Sequence, residues 1–361
     1  MKKRVAFYTL GCKANQYDTE VMKEKIKEAD GLEPVTFDED HDVSIINTCS
    51  VTNSADRKSR KYIRRAARKG KTVLVTGCYV TLDSDTISEI SGVDGIIPNS
   101  QKTEIIDILK RAESNDAVTF PQDPVNWDID RQAISQDSNH TRAFLKVQDG
   151  CSNRCTFCKV HFLRGPARSK SPSRVVEETR TLGKRGFEEV VLTGINMAEY
   201  GENDRGLALL IRKLAEVEEI SRIRLSSINP EGITEELLEA FEGTDKTCPY
   251  FHIPLQSGSN RILDRMNRGY TREYYLDRVN LIKQKLPNGT FGTDLMVGFP
   301  GERDSDFEKT LSMVEKVGFI NTHVFRYSPR EVTPASDFDG RVDSNVKKNR
   351  SEKLRWIWAN G

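Results

Sequence analysis

The sequence predicts an α/β protein made of two domains, a parallel α/β domain followed by a partial barrel of six β–α units, a (β/α)6 barrel. Short runs of β-branched and aromatic residues alternate with polar, helix-compatible segments along both halves, without an internal repeat. The 361 residues, 37% of them hydrophobic and 30% charged, are enough for two separate cores.

The first domain is predicted over residues 1–112. Its short strand-like runs are each followed by a segment suited to a crossover helix, which is typical of a flavodoxin- or Rossmann-like parallel sheet. The candidate strands are residues 4–10, 42–48 and 72–77.

A cysteine comes directly after each of these strands: Cys12 in TLGC, Cys49 in NTC and Cys78 in TGC. Ligands of open α/β sheets bind outside the carboxyl ends of the strands, so we expect the three thiols to converge on one crevice. Such an arrangement suits an iron–sulfur cluster, and a buried structural thiol is the alternative for any one of them. We expect Cys248 to be a buried structural thiol.

Residues 57–71 read RKSRKYIRRAARKGK, with nine basic residues and no acid. Apolar residues recur at helical spacing, which predicts an amphipathic helix with a cationic outer face. The whole chain has a net charge of only +1, so it is this local concentration that indicates a nucleic acid partner. The side chains expected to contact RNA phosphates are Arg57, Lys58, Arg60, Lys61, Arg64, Arg65 and Arg68.

After the first domain, the sequence predicts a linker and then the barrel. Residues 113–140 are polar and without periodicity, which predicts a linker. The β–α alternation resumes over residues 141–340, and residues 341–361 are predicted to form a C-terminal helix. Barrels of this kind carry catalytic groups at the carboxyl ends of their strands. The candidate strands are residues 143–149, 189–196, 222–228, 250–256, 290–299 and 321–328.

Cys151, Cys155 and Cys158 follow the first barrel strand with the spacing CxxxCxxC. Three thiolates so close together can hold a four-iron four-sulfur (4Fe-4S) cluster and leave its fourth iron open to a ligand. Zinc is the alternative, with His161 as a fourth ligand, although no second CxxC supplies the usual pair. We therefore interpret the chain as an iron–sulfur enzyme.

This motif, its place after the first barrel strand and Phe157 before its last cysteine resemble the radical S-adenosylmethionine (SAM) superfamily. In that superfamily the open iron chelates SAM, and one electron cleaves it to a 5′-deoxyadenosyl radical. The resemblance implies that Phe157 packs near the adenine and that Gly298 admits the adenosyl group. Arg164 and Arg168 are candidates for binding the methionine carboxylate, because a guanidinium matches a carboxylate, and a structural ion pair is the alternative for each. The other residues implied in the SAM pocket are Thr193, Gly194, Ile195, Asn196, Ser227, Gln256 and Asp294.

The N-terminal segments TLGCKANQYDTE, NTCSVTNSADRKSRK and TGCY resemble methylthiotransferases. In that family three N-terminal cysteines hold an auxiliary 4Fe-4S cluster that delivers sulfur, which implies two clusters in this chain. TLGCKxNQ and ADRKSRK resemble the MtaB-type branch, which acts on N6-threonylcarbamoyladenosine next to the anticodon of tRNA. The segments RIRLSSINPE, FHIPLQSGS and DLMVGFPGE continue the match, which covers residues 4 to about 345.

The resemblance implies that one SAM methylates the sulfur and that a second yields the radical that removes hydrogen from C2 of the adenine. It implies tRNA as substrate, an electron donor of the flavodoxin or ferredoxin type and a sulfur source. The branches that modify isopentenyladenosine in tRNA or a ribosomal protein are alternatives. A non-catalytic iron–sulfur RNA-binding protein and a redox carrier are alternatives of other classes. The sequence shows no signal peptide or long apolar run, so we expect a cytoplasmic monomer without membrane contact.

The chain departs from the family pattern in two places. Lys159, Val160 and His161 follow the third cysteine, where family members carry small or apolar residues and a proline; a lysine pointing at the cluster would raise its reduction potential. No segment resembles the C-terminal RNA-binding barrel called TRAM. We therefore expect weaker tRNA binding than in a relative that carries this barrel.

Overall fold

The computed structural model describes residues 2–69, 71–113, 127–135, 141–201 and 206–360. The chain divides into two compact units, the first comprising Met1–Ser152 with Val160–Phe187 and the second Asn153–Lys159 with Glu188–Gly361. Most of the predicted linker, namely residues 114–126 and 136–140, lies outside the described residues. Within the described ranges, every helix is too short or too polar to cross a membrane.

The first unit contains a five-stranded parallel sheet. Its strands are β1 (Lys3–Thr9), β2 (Leu32–Thr36), β3 (Val43–Thr48), β4 (Thr72–Gly77) and β5 (Gly95–Ile97). They pair in the order β2-β1-β3-β4-β5, the flavodoxin-like order in which the winding reverses between β1 and β3. The predicted strands are confirmed, whereas β2 and β5 were not predicted because they are short or contain proline.

Helices cover both faces of this sheet. They are α1 (Lys13–Glu28), α2 (Asn53–Ala67), α3 (Cys78–Leu82), α4 (Ser84–Ser88) and α5 (Ile105–Glu113). Because side chains alternate along a strand, Ile45 packs with Met22 of α1 on one face and Ile46 packs with Ile63 of α2 on the other. The basic segment therefore forms the exposed side of a helix whose apolar side is fixed to the sheet.

The remaining elements of the first unit surround the start of the CxxxCxxC motif. They are β6 (Ala143–Lys146), β7 (Gln148–Asp149), α6 (Val160–Arg164), β8 (Arg168–Ser169) and α7 (Pro172–Lys184). β7 and β8 pair antiparallel, and Cys151 N donates to Gly165 O at 3.1 Å. This pairing fixes the backbone that enters the motif.

The second unit is built from strands that are each followed by a helix. The strands are β9 (Glu189–Thr193), β10 (Arg222–Leu225), β11 (Tyr250–His252), β12 (Thr290–Val297) and β13 (Asn321–Arg326). The helices are α8 (Gly206–Ala215), α9 (Glu235–Glu242), α10 (Asn260–Arg265), α11 (Arg272–Lys285), α12 (Asp304–Val317) and α13 (Ser344–Asn360).

These strands are parallel, as predicted for a partial barrel. β9 pairs with β10, and β12 lies between β11 and β13. Single bridges, including Ser227 to His252, join β10 to β11. The strands end earlier than predicted, because the polar residues after each one belong to turns at the carboxyl end, where a barrel places its functional groups.

Candidate active site

The three N-terminal cysteines lie together at the carboxyl ends of β1, β3 and β4. The pKa of the Cys49 thiol is raised to about 12, chiefly by burial and then by the negative charges of Cys78 and Cys12, while a backbone hydrogen bond from Val51 lowers it. The first two of these strands flank the point where the sheet reverses its winding, the usual ligand position in this topology. We name Cys12, Cys49 and Cys78 the N-terminal cysteine trio.

Glycines allow the loops of the trio to approach one another. Gly11 has a φ of 102°, and a Cβ on it would lie 2.8 Å from Cys49 Cβ. Gly77 has a φ of 99°, and a Cβ there would lie 2.2 Å from Thr48 O. Both positions combine a left-handed backbone with a contact that no side chain tolerates, so glycine precedes Cys12 and Cys78 for a steric reason.

Two polar side chains hold these loops in place. Asn15, in the first turn of α1, donates from Nδ2 to Leu10 O and to Thr48 O, both at 2.8 Å. Ser59 of α2 donates from Oγ to Cys49 O at 3.0 Å and accepts from Cys49 N at 3.3 Å. The loops before Cys12 and around Cys49 are therefore tied to each other and to α2.

Arg164 connects this clamp to a group of buried charges. Its Nη1 donates to both carboxylate oxygens of Asp149 at 2.9 and 2.7 Å, while its Nη2 donates to Asn15 Oδ1 and lies 3.2 Å from Asp18 Oδ2. Burial opposes its charge, but Asp149 and then Cys78, Asp18 and Cys12 keep the pKa of Arg164 well above its ordinary value. Arg164 is occupied within the first unit, so we correct its predicted role at the methionine carboxylate and assign it to this network.

Two lysines complete what we name the buried ion network. Lys102 Nζ lies 2.8 Å from Asp18 Oδ2, and Lys146 Nζ bonds to Asp18 and lies 2.8 Å from Asp149 Oδ2. The three cations and two carboxylates leave a net charge of +1 near the trio. This charge complements the negative charge that thiolates and an iron–sulfur cluster carry. Its members are Asp18, Lys102, Lys146, Asp149 and Arg164.

The donor set of the trio fits an iron–sulfur cluster. Thiolates are the ligands that such clusters prefer, and a nearby positive charge with fixed loops satisfies their electrostatic and geometric needs. The sequence predicts their convergence, because each of the three residues follows a strand of the same parallel sheet. No sequence motif predicts the buried ion network, because Lys102, Lys146 and Arg164 come from distant parts of the chain.

Cys155, in the CxxxCxxC motif, is 6% exposed and receives a hydrogen bond from Arg268. Arg268 Nη1 lies 3.3 Å from Cys155 Sγ, and its Nη2 donates to Asn229 Oδ1 at 2.9 Å. Burial opposes its charge, but Tyr270 and Cys155 hold the pKa of Arg268 above its ordinary value. A fixed guanidinium at a ligand sulfur stabilises negative charge there and raises a cluster's potential. Sequence reasoning missed Arg268, which lies 113 residues beyond Cys155.

Phe157 of the motif packs within the second unit, and Lys159, which follows the motif, is buried. Phe157 packs edge-on against Phe299, with ring centroids 6.4 Å apart. Lys159, directly after the motif, is 7% exposed, and its effect on the cluster potential stays a prediction. The adenine contact of Phe157 stays a prediction.

The ends of β9 and β10 offer polar groups to a ligand. Thr193 is 1% exposed, and its Oγ1 has no hydrogen-bond partner among the described residues. Ser226 Oγ is likewise buried without a partner in the described part of the chain. Unsatisfied buried hydroxyls at barrel strand ends fit a polar ligand such as SAM. Asn196 instead caps the turn after β9 by accepting from Ala198 N at 3.3 Å.

Three predicted SAM-pocket residues lie around the end of β12. Gln256 adopts a φ of 65°, a strained conformation for a residue with a side chain, and its N–H donates to Asp294 O at 2.8 Å. A Cβ at Gly298 would lie 2.2 Å from Lys347 Cγ, and Gly298 N donates to Glu302; the adenosyl contact of Gly298 stays a prediction.

Of the remaining predicted residues, some lie where the sequence predicted and others do not. Arg168 donates to Arg164 O at 3.0 Å and lies over the Trp127 ring, and its carboxylate contact stays a prediction. Gly194, Ile195 and Ser227 lie just beyond the ends of β9 and β10, whereas the predicted strands included them, and their SAM contacts stay predictions. Cys248 is only half-buried and lines a hollow of about 370 Å³, so the prediction of a buried structural thiol is wrong.

The basic face of α2 forms a groove in the first unit. A hollow of about 390 Å³ is lined entirely by basic residues and adjoins a second hollow through Arg64 and Arg68. Two of the predicted phosphate contacts are engaged elsewhere, since Arg60 donates to Tyr79 Oη at 2.6 Å and Arg65 pairs with Asp38 at 2.8 Å. The exposed basic residues of the helix are Arg57, Lys58, Lys61, Arg64, Arg65 and Arg68.

A polar cluster lies on β11, β12 and β13. Of its members, the sequence analysis predicted a functional role only for Asp294. His252 Nε2 and His323 Nδ1 each lie 3.2 Å from Asp294 Oδ1. We name these three residues the imidazole–carboxylate triad. Only the pairing of three strands brings together histidines that are 71 positions apart, so no local pattern could have indicated it.

Comparison with known proteins identifies related sequences. The radical SAM superfamily matches residues 145–314, and uncharacterized protein family UPF0004 matches residues 4–98. The chain is 41% identical over 360 residues to the threonylcarbamoyladenosine tRNA methylthiotransferase MtaB of Bacillus subtilis (strain 168), covering 97% of this chain and 79% of that protein. It is 33% identical to the tRNA-2-methylthio-N(6)-dimethylallyladenosine synthase of Natranaerobius thermophilus, covering 96% and 80%.

Two solved structures of radical SAM enzymes have a fold similar to that of this chain. The radical SAM methyltransferase TsrM from Kitasatospora setae, with cobalamin and a [4Fe-4S] cluster bound, superposes with a TM-score of 0.71 over 93% of this chain and 77% of that chain, at 12% identity. The cobalamin-dependent SAM radical enzyme OxsB gives a TM-score of 0.60 over 99% and 56%, at 13% identity. At these identities the likeness concerns the fold alone.

Proposed function

Because this chain belongs to the radical SAM methylthiotransferases, enzymes that use SAM and iron–sulfur clusters, we propose that it adds a methylthio group to C2 of N6-threonylcarbamoyladenosine, 3′ of the tRNA anticodon. Four relatives named for that activity are 36–41% identical to this chain. Four named dimethylallyladenosine synthases are 32–35% identical. The order of these identities favours the threonylcarbamoyl substrate.

One observation carries the two-cluster part of the proposal. The N-terminal cysteine trio converges at the switch point of its sheet, separately from the CxxxCxxC motif in sequence. When bound, a 4Fe-4S cluster at Cys151, Cys155 and Cys158 supplies with SAM a carbon-centred radical, and a cluster at the trio supplies sulfur. A radical is needed because the C2 hydrogen of adenine is not acidic, so no general base can remove it.

The residues of this chain hold and tune these centres. Asn15 and Ser59 fix the loops of the trio, and the buried ion network balances its charge. Arg268 donates to Cys155 and favours acceptance of an electron, which an external donor of the flavodoxin or ferredoxin type provides. Thr193 offers its hydroxyl to SAM. Turnover requires a sulfur source in addition to this electron donor.

The test is product analysis after anaerobic cluster reconstitution. We expect the reduced protein to convert an anticodon stem-loop carrying N6-threonylcarbamoyladenosine into its 2-methylthio derivative, with release of 5′-deoxyadenosine, both measured by mass spectrometry. Cys155→Ala removes a cluster ligand and is expected to form neither product. Product only from a dimethylallyladenosine stem-loop would assign the chain to the other branch, and release of no 5′-deoxyadenosine from any substrate would mark a non-catalytic protein.

The basic groove predicts a salt-dependent affinity for tRNA. α2 begins four residues after Cys49, and Ser59 of α2 bonds to Cys49, so phosphates on this helix would lie beside the trio. Changing Arg57, Lys61 and Arg64 to Gln is expected to weaken tRNA binding and to reduce the slope of log K against log salt by about 0.7–0.9 for each phosphate that the variant no longer binds. Filter binding between 50 and 200 mM salt measures both quantities.

The matched control removes three exposed basic residues from α1 and α5 of the same unit, by changing Lys27, Lys110 and Arg111 to Gln. This variant loses the same net charge away from the groove, so we expect its salt slope to match the wild type. Equal slopes for the two triple variants would show that the helix is an ordinary solvated face.

A further inference from the structure

The sheet β11-β12-β13 presents one covered and one open face. Thr293 is fully buried and donates to Ile253 O at 2.8 Å, beneath Tyr275 of α11, which donates to the same carbonyl. Successive side chains of a strand point to opposite faces, so Asp294 lies on the other face. The register of β12 and β13 pairs Asp294 with His323 on that face.

The imidazole–carboxylate triad is ordered on this open face. Asp294 Oδ1 lies 3.2 Å from both His252 Nε2 and His323 Nδ1, and its hydrogen bond with His323 orients that ring. On the other side of its ring, His252 Nδ1 lies 3.4 Å from Tyr250 Oη. The His252 side chain is 12% exposed and that of His323 is 56% exposed. His323 is therefore the member of the triad that a bound molecule reaches most readily.

The triad and the last two cysteines of the CxxxCxxC motif belong to the second unit, and each group has a neighbouring residue that packs against the same hydrophobic cluster. Met296 follows Asp294 by two residues on the same face of β12, and it packs against the hydrophobic cluster that also receives Phe157 of the motif. Two residues of a strand span about 7 Å. A nucleobase whose ring lies near the motif would therefore place a substituent of a few bonds' length at the triad.

The two candidate nucleosides differ in that substituent. The threonylcarbamoyl group on N6 carries a urea, a hydroxyl and a carboxylate, whereas the dimethylallyl group is a hydrocarbon. A histidine that donates Nδ1–H to a carboxylate can accept a hydrogen bond at its second nitrogen when neutral and donate one when protonated. It can therefore pair with a polar substituent and would be left without a partner by an apolar one.

We propose that His323, held by Asp294 and supported by His252, is the specificity-determining residue that binds the polar N6 substituent of the substrate nucleoside. This inference rests on the proposed function, because it concerns the choice between two nucleosides at the same site. A polar group left unpaired in a bound complex costs more than a missing apolar contact, so the triad discriminates mainly by rejecting the apolar nucleoside.

The same three side chains also suit a divalent cation, since their ligand atoms lie within 4.8 Å of one another. The contact between His323 Nδ1 and Asp294 Oδ1 at 3.2 Å has the geometry of a hydrogen bond, and the outward exposure of His323 suits a substrate contact. We therefore assign the triad to binding of the nucleoside, and the experiment below distinguishes this role from binding of a divalent cation.

The experiment compares two anticodon stem-loops, one with N6-threonylcarbamoyladenosine and one with N6-dimethylallyladenosine. For the reconstituted wild type, His323→Leu and His323→Gln, we measure kcat/KM for methylthiolation and the Kd of each stem-loop by calorimetry. We expect His323→Leu to lose about tenfold or more in kcat/KM and in affinity on the threonylcarbamoyl stem-loop, and to gain on the dimethylallyl stem-loop, because the apolar substituent then no longer leaves an imidazole unpaired. His323→Gln keeps a polar group and is expected to recover part of the loss.

Arg326→Leu is the matched control, since it replaces an exposed polar residue of the same strand on the opposite face. It is expected to keep the wild-type preference. Iron content and thermal unfolding of every variant establish that the clusters and fold are intact.

The outcomes separate the two proposals. A wild type that prefers the threonylcarbamoyl stem-loop, with the same preference in His323→Leu, overturns this inference and leaves the proposed function standing. A wild type that modifies only the dimethylallyl stem-loop, or neither, overturns both. Loss of the preference after dialysis against EDTA, with recovery on adding Zn²⁺, would assign the triad to a cation and overturn the inference as well.

Discussion

Changing Cys12, Cys49 and Cys78 together to Ala is expected to lower the iron content of the anaerobically reconstituted protein from about eight to about four atoms per chain. The three thiols lie at adjacent strand ends, and no other cysteine of the first unit's sheet can replace them. Methylthiolated product is expected to disappear, while reductive release of 5′-deoxyadenosine continues because the CxxxCxxC motif is intact. Iron analysis and mass spectrometry measure the two effects.

Cys248→Ala is the control for this experiment, since Cys248 is a half-buried cysteine of the second unit without a part in either cysteine group. It is expected to keep both the iron content and the product. If the triple variant retained about eight irons, the trio would not be a cluster site. If the wild type held only about four, the sulfur-donating half of the proposed function would be lost.

Replacing Arg164 by Met is expected to cause the largest loss of stability. Arg164 is 2% exposed and supports two carboxylates, so its removal leaves buried negative charge with fewer partners, at a cost of about 3–5 kcal/mol. For a unit of this size that corresponds to a fall in Tm of roughly 10 °C. Thermal unfolding followed by circular dichroism measures it, with iron content as a second readout, because Arg164 also holds Asn15.

Arg174→Met is the matched control. Its ion pair with Glu177 is exposed, so we expect a loss below about 1 kcal/mol. A Tm for Arg164→Met within about 2 °C of this control would contradict a structural role for the network.

The network also predicts the response of the protein to acid. Burial alone would raise the pKa of Asp18, but Lys102, Lys146 and Arg164 hold it well below its ordinary value. Such a carboxylate stabilises the fold above its unfolded-state pKa, near 4, and this contribution is lost as the pH falls. With one cation fewer, Arg164→Met should unfold at a higher pH than the wild type.

Several features of the fold follow from local patterns. Three N-terminal strands, the amphipathic helix after Cys49 and the strand–helix alternation of the second unit were predicted, because each depends on residues adjacent in the chain. The positions of Cys12, Cys49 and Cys78 followed as well, since parallel strands end at the same edge of a sheet. β5 was missed because its three residues are too few to show a period.

Contacts between distant segments could not be predicted. Arg164 was assigned to the methionine carboxylate because a guanidinium suits one, yet the structure gives its donors to Asp149, Asp18 and Asn15. Gly298 was predicted from the space that glycine leaves for a ligand, and the sequence did not indicate that Lys347 of α13 packs against the same position. Each residue has several chemically equivalent partners, and only the packing selects among them.

The sequence by itself determined the chemistry of this protein, because cluster ligation depends on which residues are cysteines and on their spacing and place after strands. The tertiary structure alone decided the electrostatic surroundings of those cysteines, namely the buried ion network, the hydrogen bond from Arg268 and the triad on the open face of the second unit. The physical reason is range: periodicity and spacing act over a few residues, whereas a buried charge or hydrogen bond is satisfied by whichever group the fold brings within about 3 Å.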